Sequence, residues 1–515
     1  MVVAGNHPSA VPHGGGMVRV ANRSLLALCL AGVSTLSMLD LSGEVAAGLF
    51  LLVAFLLLGI SKRHGYFLSV AMLVIVAYVL AYPLEMLFYD FYSRWDSAPL
   101  DSLDFSTLWA LRGFCAFSVA YAVVVSLSRN PKRELSHNGE WVRGQISYTV
   151  YVLTAIGWLA VLSWVLSVAV FGISLTFVEG KSVNVESAAG TLQQALGLMS
   201  ALKQPFLFGF LILYYKKLTD RHLTLLFWCL VGISVVEIVT IGSKASIIRG
   251  IVIVLLVGTV LPIRLNLRQA GIGAGAVMVF YGAFLVITEY RALILAEHDA
   301  GGNVFDIAVQ AEAFGRALLA SAPFVDAYED RETEVKTKTV LGRLGHATTF
   351  SDLLEHTGRI SPYEHAWESV FAPLYAILPR FIVPDKPEFF HSGRNAAEYY
   401  GWRYGGISVT LLGSLYFAWG YAGIVLGMAC MGGWLAFVEA KARRGNILSP
   451  HWLVLLAMTV LMLLDVGVTV QPILTDLIRV ALILWALYLL YPSLRGVMQQ
   501  RTSRILTLAP VSRRT

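Results

Sequence analysis

The sequence predicts an all-α polytopic integral membrane protein with about 12 transmembrane helices and one large external loop. The chain has 515 residues, of which 57% are hydrophobic and 14% are charged. Soluble domains carry about 25% charged residues, so the composition excludes a disordered chain and disfavours a soluble globular fold. Much of the apolar excess lies in runs of roughly 18–22 residues, each long enough to cross the ~30 Å hydrocarbon core of a bilayer.

The individual spans follow from these runs. The first run is followed at once by a second, without a small-residue cleavage site, so it is interpreted as a span and not as a signal peptide. The predicted spans are residues 22–39, 44–60, 66–86, 107–128, 146–171, 194–215, 222–241, 246–262, 271–290, 408–438, 450–469 and 474–492.

Basic segments follow every even-numbered span. Because Lys and Arg collect in cytoplasmic loops, this alternation predicts that both termini are cytoplasmic. It also accounts for the net charge of +6 without a nucleic-acid partner. The basic segments are Ser61–His64, Lys132–Arg133, Lys216–Arg221, Arg264–Arg268, Lys441–Arg444 and Arg501–Arg504.

The spans divide the chain into five regions, of which the external loop of residues 291–407 is the most unusual. A loop of this length that contains periodic segments is usually functional. Its segments 303–328 and 346–360 predict short amphipathic helices. The five regions are a disordered cytoplasmic N-terminus (1–20), nine transmembrane helices (21–290), the large external loop (291–407), three transmembrane helices (408–492) and a cytoplasmic tail (493–515).

Several charged residues fall inside the predicted spans or at their outer ends. A charge at the centre of a membrane helix costs roughly 2.5–3.5 kcal/mol on insertion scales, so it is retained where it faces a polar cavity, a partner or a substrate. Cations outnumber acids, which favours an anionic ligand such as a lipid-linked diphosphate. The alternative is that the cations snorkel to lipid headgroups and the acids are structural counter-ions. These residues are Arg112, Lys203, Glu237, Lys244, Arg249, Arg291 and Asp465.

The second half of the large loop, Arg343–Arg403, combines charged residues and histidines with many aromatics. Aromatic faces provide apolar platforms for sugar rings, and carboxylates or imidazoles can accept a hydroxyl proton. The alternative is a membrane-skimming loop with interfacial aromatic residues. The spacing of His356, His365 and His391 matches no metal motif, and the four cysteines lie in apolar runs. No metal, disulfide or cofactor is therefore expected.

Three segments carry a resemblance to a known family. Leu378–Pro387 (LPRFIVPDKP) resembles a recurring segment in the large periplasmic loop of the Wzy-like O-antigen and exopolysaccharide polymerases. Ile241–Ser246 is similar to the family's turn of small residues and a cation, with Lys244 where Arg is commoner. Ser414–Gly423 is similar to the aromatic-then-glycine start of the span after the loop.

This resemblance implies a GT-C-like, metal-independent glycosyltransferase of the bacterial inner membrane. Such an enzyme polymerises undecaprenyl-diphosphate-linked oligosaccharide repeat units at the periplasmic face and needs no nucleotide sugar. Its expected partners are these lipid-linked glycans, membrane lipids and a chain-length regulator. Glu364 or His365 is expected to activate the acceptor hydroxyl, with His391 as a rival, and Arg380 to stabilise the leaving group. The expected diphosphate- or substrate-binding residues are Lys244, Arg291, Arg343, Lys386, Arg112 and Lys203.

Other functions stay open on the sequence alone. An O-antigen ligase would share the architecture and most of the chemistry. A lipid-linked oligosaccharide flippase or transporter would need charges through the inner half of the bundle as well, and no half-to-half repeat is visible. A receptor or assembly scaffold would leave the excess of cations at the outer face unexplained.

Overall fold

The computed structural model describes residues 15–61, 68–88, 100–128, 139–171, 199–241, 244–261, 307–320, 346–356, 409–444, 449–466 and 470–508, and isolated positions between 192 and 197 and between 275 and 297. This part of the chain is helical and contains no strand. The helices are α1 (Gly15–Leu36), α2 (Gly43–Ser61), α3 (Val70–Ala81), α4 (Pro83–Leu87), α5 (Leu100–Leu127), α6 (Gly139–Phe171), α7 (Lys203–Tyr215), α8 (Arg221–Ile241), α9 (Lys244–Val260), α10 (Ile307–Ala320), α11 (Ala347–His356), α12 (Leu411–Arg444), α13 (Pro450–Leu464) and α14 (Val470–Leu508).

Within the described residues, six helical stretches are long and apolar enough to cross a membrane. The predicted all-α membrane protein is therefore confirmed, whereas the number of about 12 spans stays a prediction. Shorter apolar helices are present at Leu25–Leu36, Ile248–Val260 and Pro450–Leu464. The six long stretches are Gly43–Ser61, Val70–Leu87, Leu103–Leu127, Gly144–Val170, Leu411–Ala442 and Ile473–Val497.

The helices follow the predicted spans closely. Every predicted span except the ninth contains a helix, and residues 271–290 of the ninth lie mostly outside the described residues. The third span divides at Tyr82, because Pro83 has no N–H to continue the ladder of α3 and instead starts α4 at its first position. Each of the two loop segments that were expected to be helical contains a described helix. Helix α10 lies within residues 303–328, and α11 lies within residues 346–360.

The centre of the bundle is the parallel pair of α5 and α12. Near one end of this pair, Trp109 stacks on Tyr421 with ring centroids 4.0 Å apart. Near the other end, the Tyr121 hydroxyl donates a 2.5 Å hydrogen bond to Glu439. Between them, Gly432 lies directly against the Phe117 backbone carbonyl, so a small residue allows the two backbones to approach closely.

The end of the bundle near Trp109 is called the loop end here, because the large loop packs against it. The N-terminus of α11 meets the C-terminus of α3, where the His346 amide donates to the Ala81 carbonyl at 2.8 Å. The start of α12 meets the end of α13 through a 3.0 Å hydrogen bond from the Leu411 amide to the Val466 carbonyl.

Candidate substrate-binding site at the loop end

A buried ion pair joins the start of α7 to the last turns of α8. Lys203 is the first residue of α7, and its ammonium donates to the Glu237 carboxylate. The two side chains are only 8% and 12% exposed. Removing either partner would leave an uncompensated charge in the bundle, which is strongly unfavourable. Lys203, predicted as a substrate-binding cation, is therefore held by an internal carboxylate.

A second ion pair joins α9 to the end of α13, and it is much looser. Arg249 Nη2 lies 4.0 Å from Asp465 Oδ2. The two side chains are 47% and 44% exposed, so the protein encloses neither charge. Asp465 is the C-cap residue of α13, where a carboxylate faces the negative end of the helix dipole. Arg249 thus supplies Asp465 with a compensating charge at the surface of the bundle.

The two ion pairs belong to one cluster. Helix α7 packs against α8, α9 and α13, and α9 packs against α13. Arg249 acts electrostatically on Lys203 as a nearby like charge. Lys203, Glu237, Arg249 and Asp465 are called the charge cluster below. Lys244, predicted to bind the diphosphate, is the first residue of α9, and its side chain lies outside the described residues.

Arg112 is engaged elsewhere at the loop end. Its Nε donates to the Ser37 carbonyl at 2.8 Å, and its Nη2 donates to the Leu39 carbonyl at 3.2 Å. These carbonyls belong to the turn that follows α1, so Arg112 ties this turn to α5. Its guanidinium also lies 4.5 Å from the Trp109 ring centroid and 3.8 Å from Asp40. In the described contacts Arg112 is not part of the charge cluster, and a role in ligand binding stays a prediction.

Glu85 is a buried acid that the sequence analysis missed. It is 4% exposed and lies in α4. Its carboxylate accepts the Ala347 amide at 2.5 Å, and the Thr348 hydroxyl at 2.6 Å. A carboxylate at a helix N-terminus satisfies free amides and matches the sign of the dipole, so Glu85 fixes α11 to the bundle. The available signal was an acid at the end of an apolar span.

Two further features of the loop end were also missed. Asp476 and Arg479 form a 3.6 Å ion pair near the start of α14, where the signal was two opposite charges three residues apart in an apolar run. Helix α12 is interrupted at Trp419 and Gly420, and Gly420 has φ 62° and ψ −153°. This region of backbone space is essentially limited to glycine. Irregular backbone inside a membrane is tolerated where protein buries it or where it lines a cavity.

All of the predicted catalytic residues and several predicted binding residues lie outside the described residues, so their positions stay predictions. The described part of the chain contains no group of three or more His, Cys, Asp or Glu that could hold a metal ion. All four cysteines are described and free. The predicted residues outside the described ones are Arg291, Arg343, Glu364, His365, Arg380, Lys386 and His391.

No family model, curated protein or solved structure matches the chain.

Proposed function

We propose that this protein is a membrane glycosyltransferase that polymerises undecaprenyl-diphosphate-linked oligosaccharide repeat units, as an O-antigen or exopolysaccharide polymerase. The observation that carries the proposal is the position of the charged residues. Arg112, Lys203, Glu237, Arg249 and Asp465 all lie at the loop end of the bundle. The anionic group of a lipid-linked diphosphate lies at the bilayer surface, and so at the level of the ends of the membrane-spanning helices.

The proposed orientation follows from the basic segments after the even-numbered spans. The loop end faces the periplasm of a bacterial inner membrane, and both chain termini lie in the cytoplasm. About twelve spans form a GT-C-like bundle, with residues 291–407 outside it. The cations Arg112, Lys203 and Arg249 lie at one end of the bundle, which favours catalysis at one membrane face, because a passage for a polar glycan would need polar groups at every depth.

The proposed reaction forms one glycosidic bond and breaks one bond to phosphate. An acceptor hydroxyl attacks the anomeric carbon of the donor glycan, and the bond from that carbon to the diphosphate oxygen breaks. Glu364 or His365 takes the hydroxyl proton, with His391 as the rival base. Cations at the loop end, with Arg380 and Lys386, stabilise the negative charge of the departing undecaprenyl diphosphate.

The attachment of the large loop supports a shared site for donor and acceptor. Glu85 holds the start of α11, and the hydrogen bond from Leu411 to Val466 holds the point where the loop rejoins the bundle. Both points lie at the loop end. The segment that contains the proposed catalytic groups is therefore connected on both sides to the loop end of the bundle.

The experiment that tests the proposal uses purified protein in nanodiscs with a lipid-diphosphate-linked repeat unit, without nucleotide or added metal. A glycan ladder is expected, and Arg380→Ala should abolish it while Arg316→Ala, in an exposed pair on α10, should leave it intact. Transfer to lipid A core in place of a ladder would identify a ligase. Transfer to neither acceptor, with passage of the lipid-linked unit across proteoliposomes, would identify a flippase.

A further inference from the structure

The cations at the loop end differ in how easily an incoming anion can recruit them. Recruitment separates each cation from its present partner, and the cost depends on what that partner then faces. A half-exposed carboxylate is taken up by water at small cost, whereas a buried one stays without compensation. The exposure of the partner therefore decides which cation is available to a ligand.

Lys203 and Arg112 fail this criterion. Withdrawing Lys203 would leave Glu237, which is 12% exposed, as a buried uncompensated carboxylate. Withdrawing Arg112 would leave the carbonyl of the buried Ser37 without its donor, in the turn after α1. Both cations are consequently committed to the fold.

Arg249 meets the criterion. Its partner Asp465 is 44% exposed, compared with 12% for Glu237, the partner of Lys203, and the Arg249 side chain itself is 47% exposed. Its contact with Asp465 is 4.0 Å, beyond hydrogen-bonding distance, so this carboxylate leaves the planar donors of the guanidinium largely unused. A phosphate group can accept two parallel hydrogen bonds from such a fork.

We propose that Asp465 is an internal counter-ion that holds Arg249 before a ligand binds. The diphosphate of a lipid-linked glycan displaces Asp465 when it binds Arg249. The identity of this ligand rests on the proposed function. The diphosphate binds Arg249 through charge-assisted hydrogen bonds, and Asp465 turns to water. Asp465 therefore competes with the ligand, so its removal strengthens binding although it lies in the site.

Asp465, which competes with the ligand for Arg249, is connected to the large loop through the backbone. Asp465 immediately precedes Val466, whose carbonyl accepts the Leu411 amide at the point where the loop rejoins the bundle. Release of Asp465 thus occurs one residue away from an anchor of the loop.

The test measures binding of undecaprenyl diphosphate to the full chain in phosphatidylcholine nanodiscs, with inorganic pyrophosphate as competitor. Asp465→Asn should tighten binding about 2- to 5-fold, which is the range for loss of a half-exposed ion pair. Arg249→Met should weaken binding about 10- to 100-fold, as for loss of charge-assisted hydrogen bonds. Glu312→Gln and Arg316→Met, in the exposed pair on α10, are the matched controls and should leave binding unchanged.

Opposite results would overturn the inference. Weaker binding in Asp465→Asn would make Asp465 a positioning residue for Arg249, and unchanged binding in both variants would remove Arg249 from the site. Asp465→Ser provides a second neutral variant if the Asn protein unfolds. Discs that contain phosphatidylglycerol separate the two phosphate sources, because an effect of Arg249→Met on retained phosphatidylglycerol alone would assign Arg249 to lipid headgroups.

The glycan ladder assay on the same proteins separates this inference from the proposed function. A ladder together with unchanged binding in Arg249→Met overturns the inference and leaves the polymerase. Expected binding shifts without any glycan transfer overturn the polymerase and leave a diphosphate site at Arg249.

Discussion

The Glu85 carboxylate and the Ala347 amide, 262 positions apart in the chain, are joined by a hydrogen bond of 2.5 Å. This bond connects the third predicted span to the large loop. It makes the N-terminus of α11 part of the helical bundle, and the buried Phe350 ring adds to the contact by packing edge-on against Tyr82.

Replacing Glu85 is expected to release α11 from the bundle. Glu85→Ala removes the acceptor for two amides and a hydroxyl, which should cost about 1–3 kcal/mol of local stability. Amide hydrogen exchange in Ala347–His356 should accelerate accordingly. Glu355→Gln, an exposed acid on the same helix, is the control and should leave exchange unchanged. Equal protection in Glu85→Ala and the wild type would show that packing alone holds α11.

The buried ion pair should respond differently to single and double substitution. Lys203→Met leaves Glu237 uncompensated and is expected to destabilise the protein by about 3–5 kcal/mol. The double variant with Glu237→Met removes both charges and should recover most of that loss. Thermal unfolding of the four proteins in detergent gives the coupling energy. Additive losses would mean that the two groups do not stabilise each other.

The interruption of α12 should depend on glycine at position 420. Gly420→Ala places a side chain at φ 62° and ψ −153°, which should cost about 1–3 kcal/mol in the thermal stability of the bundle. Gly48→Ala is the control, because a Cβ on that exposed helical glycine meets nothing within 4 Å. It should stabilise α2 by about 0.5–1 kcal/mol through helix propensity. A stable Gly420→Ala protein would indicate that α12 can continue through the break.

The contact between α5 and α12 should distinguish two adjacent glycines. A Cβ at Gly432 would meet the Phe117 carbonyl, whereas a Cβ at Gly433 would lie 3.8 Å from a Val124 methyl group. Gly432→Ala should therefore cost about 1–3 kcal/mol through overpacking, and Gly433→Ala should be neutral or slightly stabilising. Unfolding midpoints of the two proteins measure the difference. Equal midpoints would show that the helices shift apart freely.

The helices were predictable because long apolar runs have few alternatives in a membrane. The contacts between charged residues on different helices were not predictable in the same way. Lys203 and Glu237 were both recognised as charges in spans, but their contact depends on how α7 packs against α8. Arg112 was interpreted as a candidate ligand for an anion, since the sequence does not reveal that carbonyls in the turn after α1 reach its guanidinium. The sequence does not predict the role of Glu85, because its partners, two backbone amides and the Thr348 hydroxyl, lie 262 and 263 positions away in the chain.

The two anchors of the large loop determine how freely that part of the chain can change. Residues 357–408 connect α11, which is held by Glu85, to Leu411, which is held by Val466. Both anchoring hydrogen bonds are made by residues outside 357–408, so they do not depend on the sequence of that segment. Insertions or exchanges in this segment should therefore leave the helix ends in place. For the proposed polymerase, this predicts that exchanges within residues 357–408 alter glycan specificity while the membrane bundle stays unaltered.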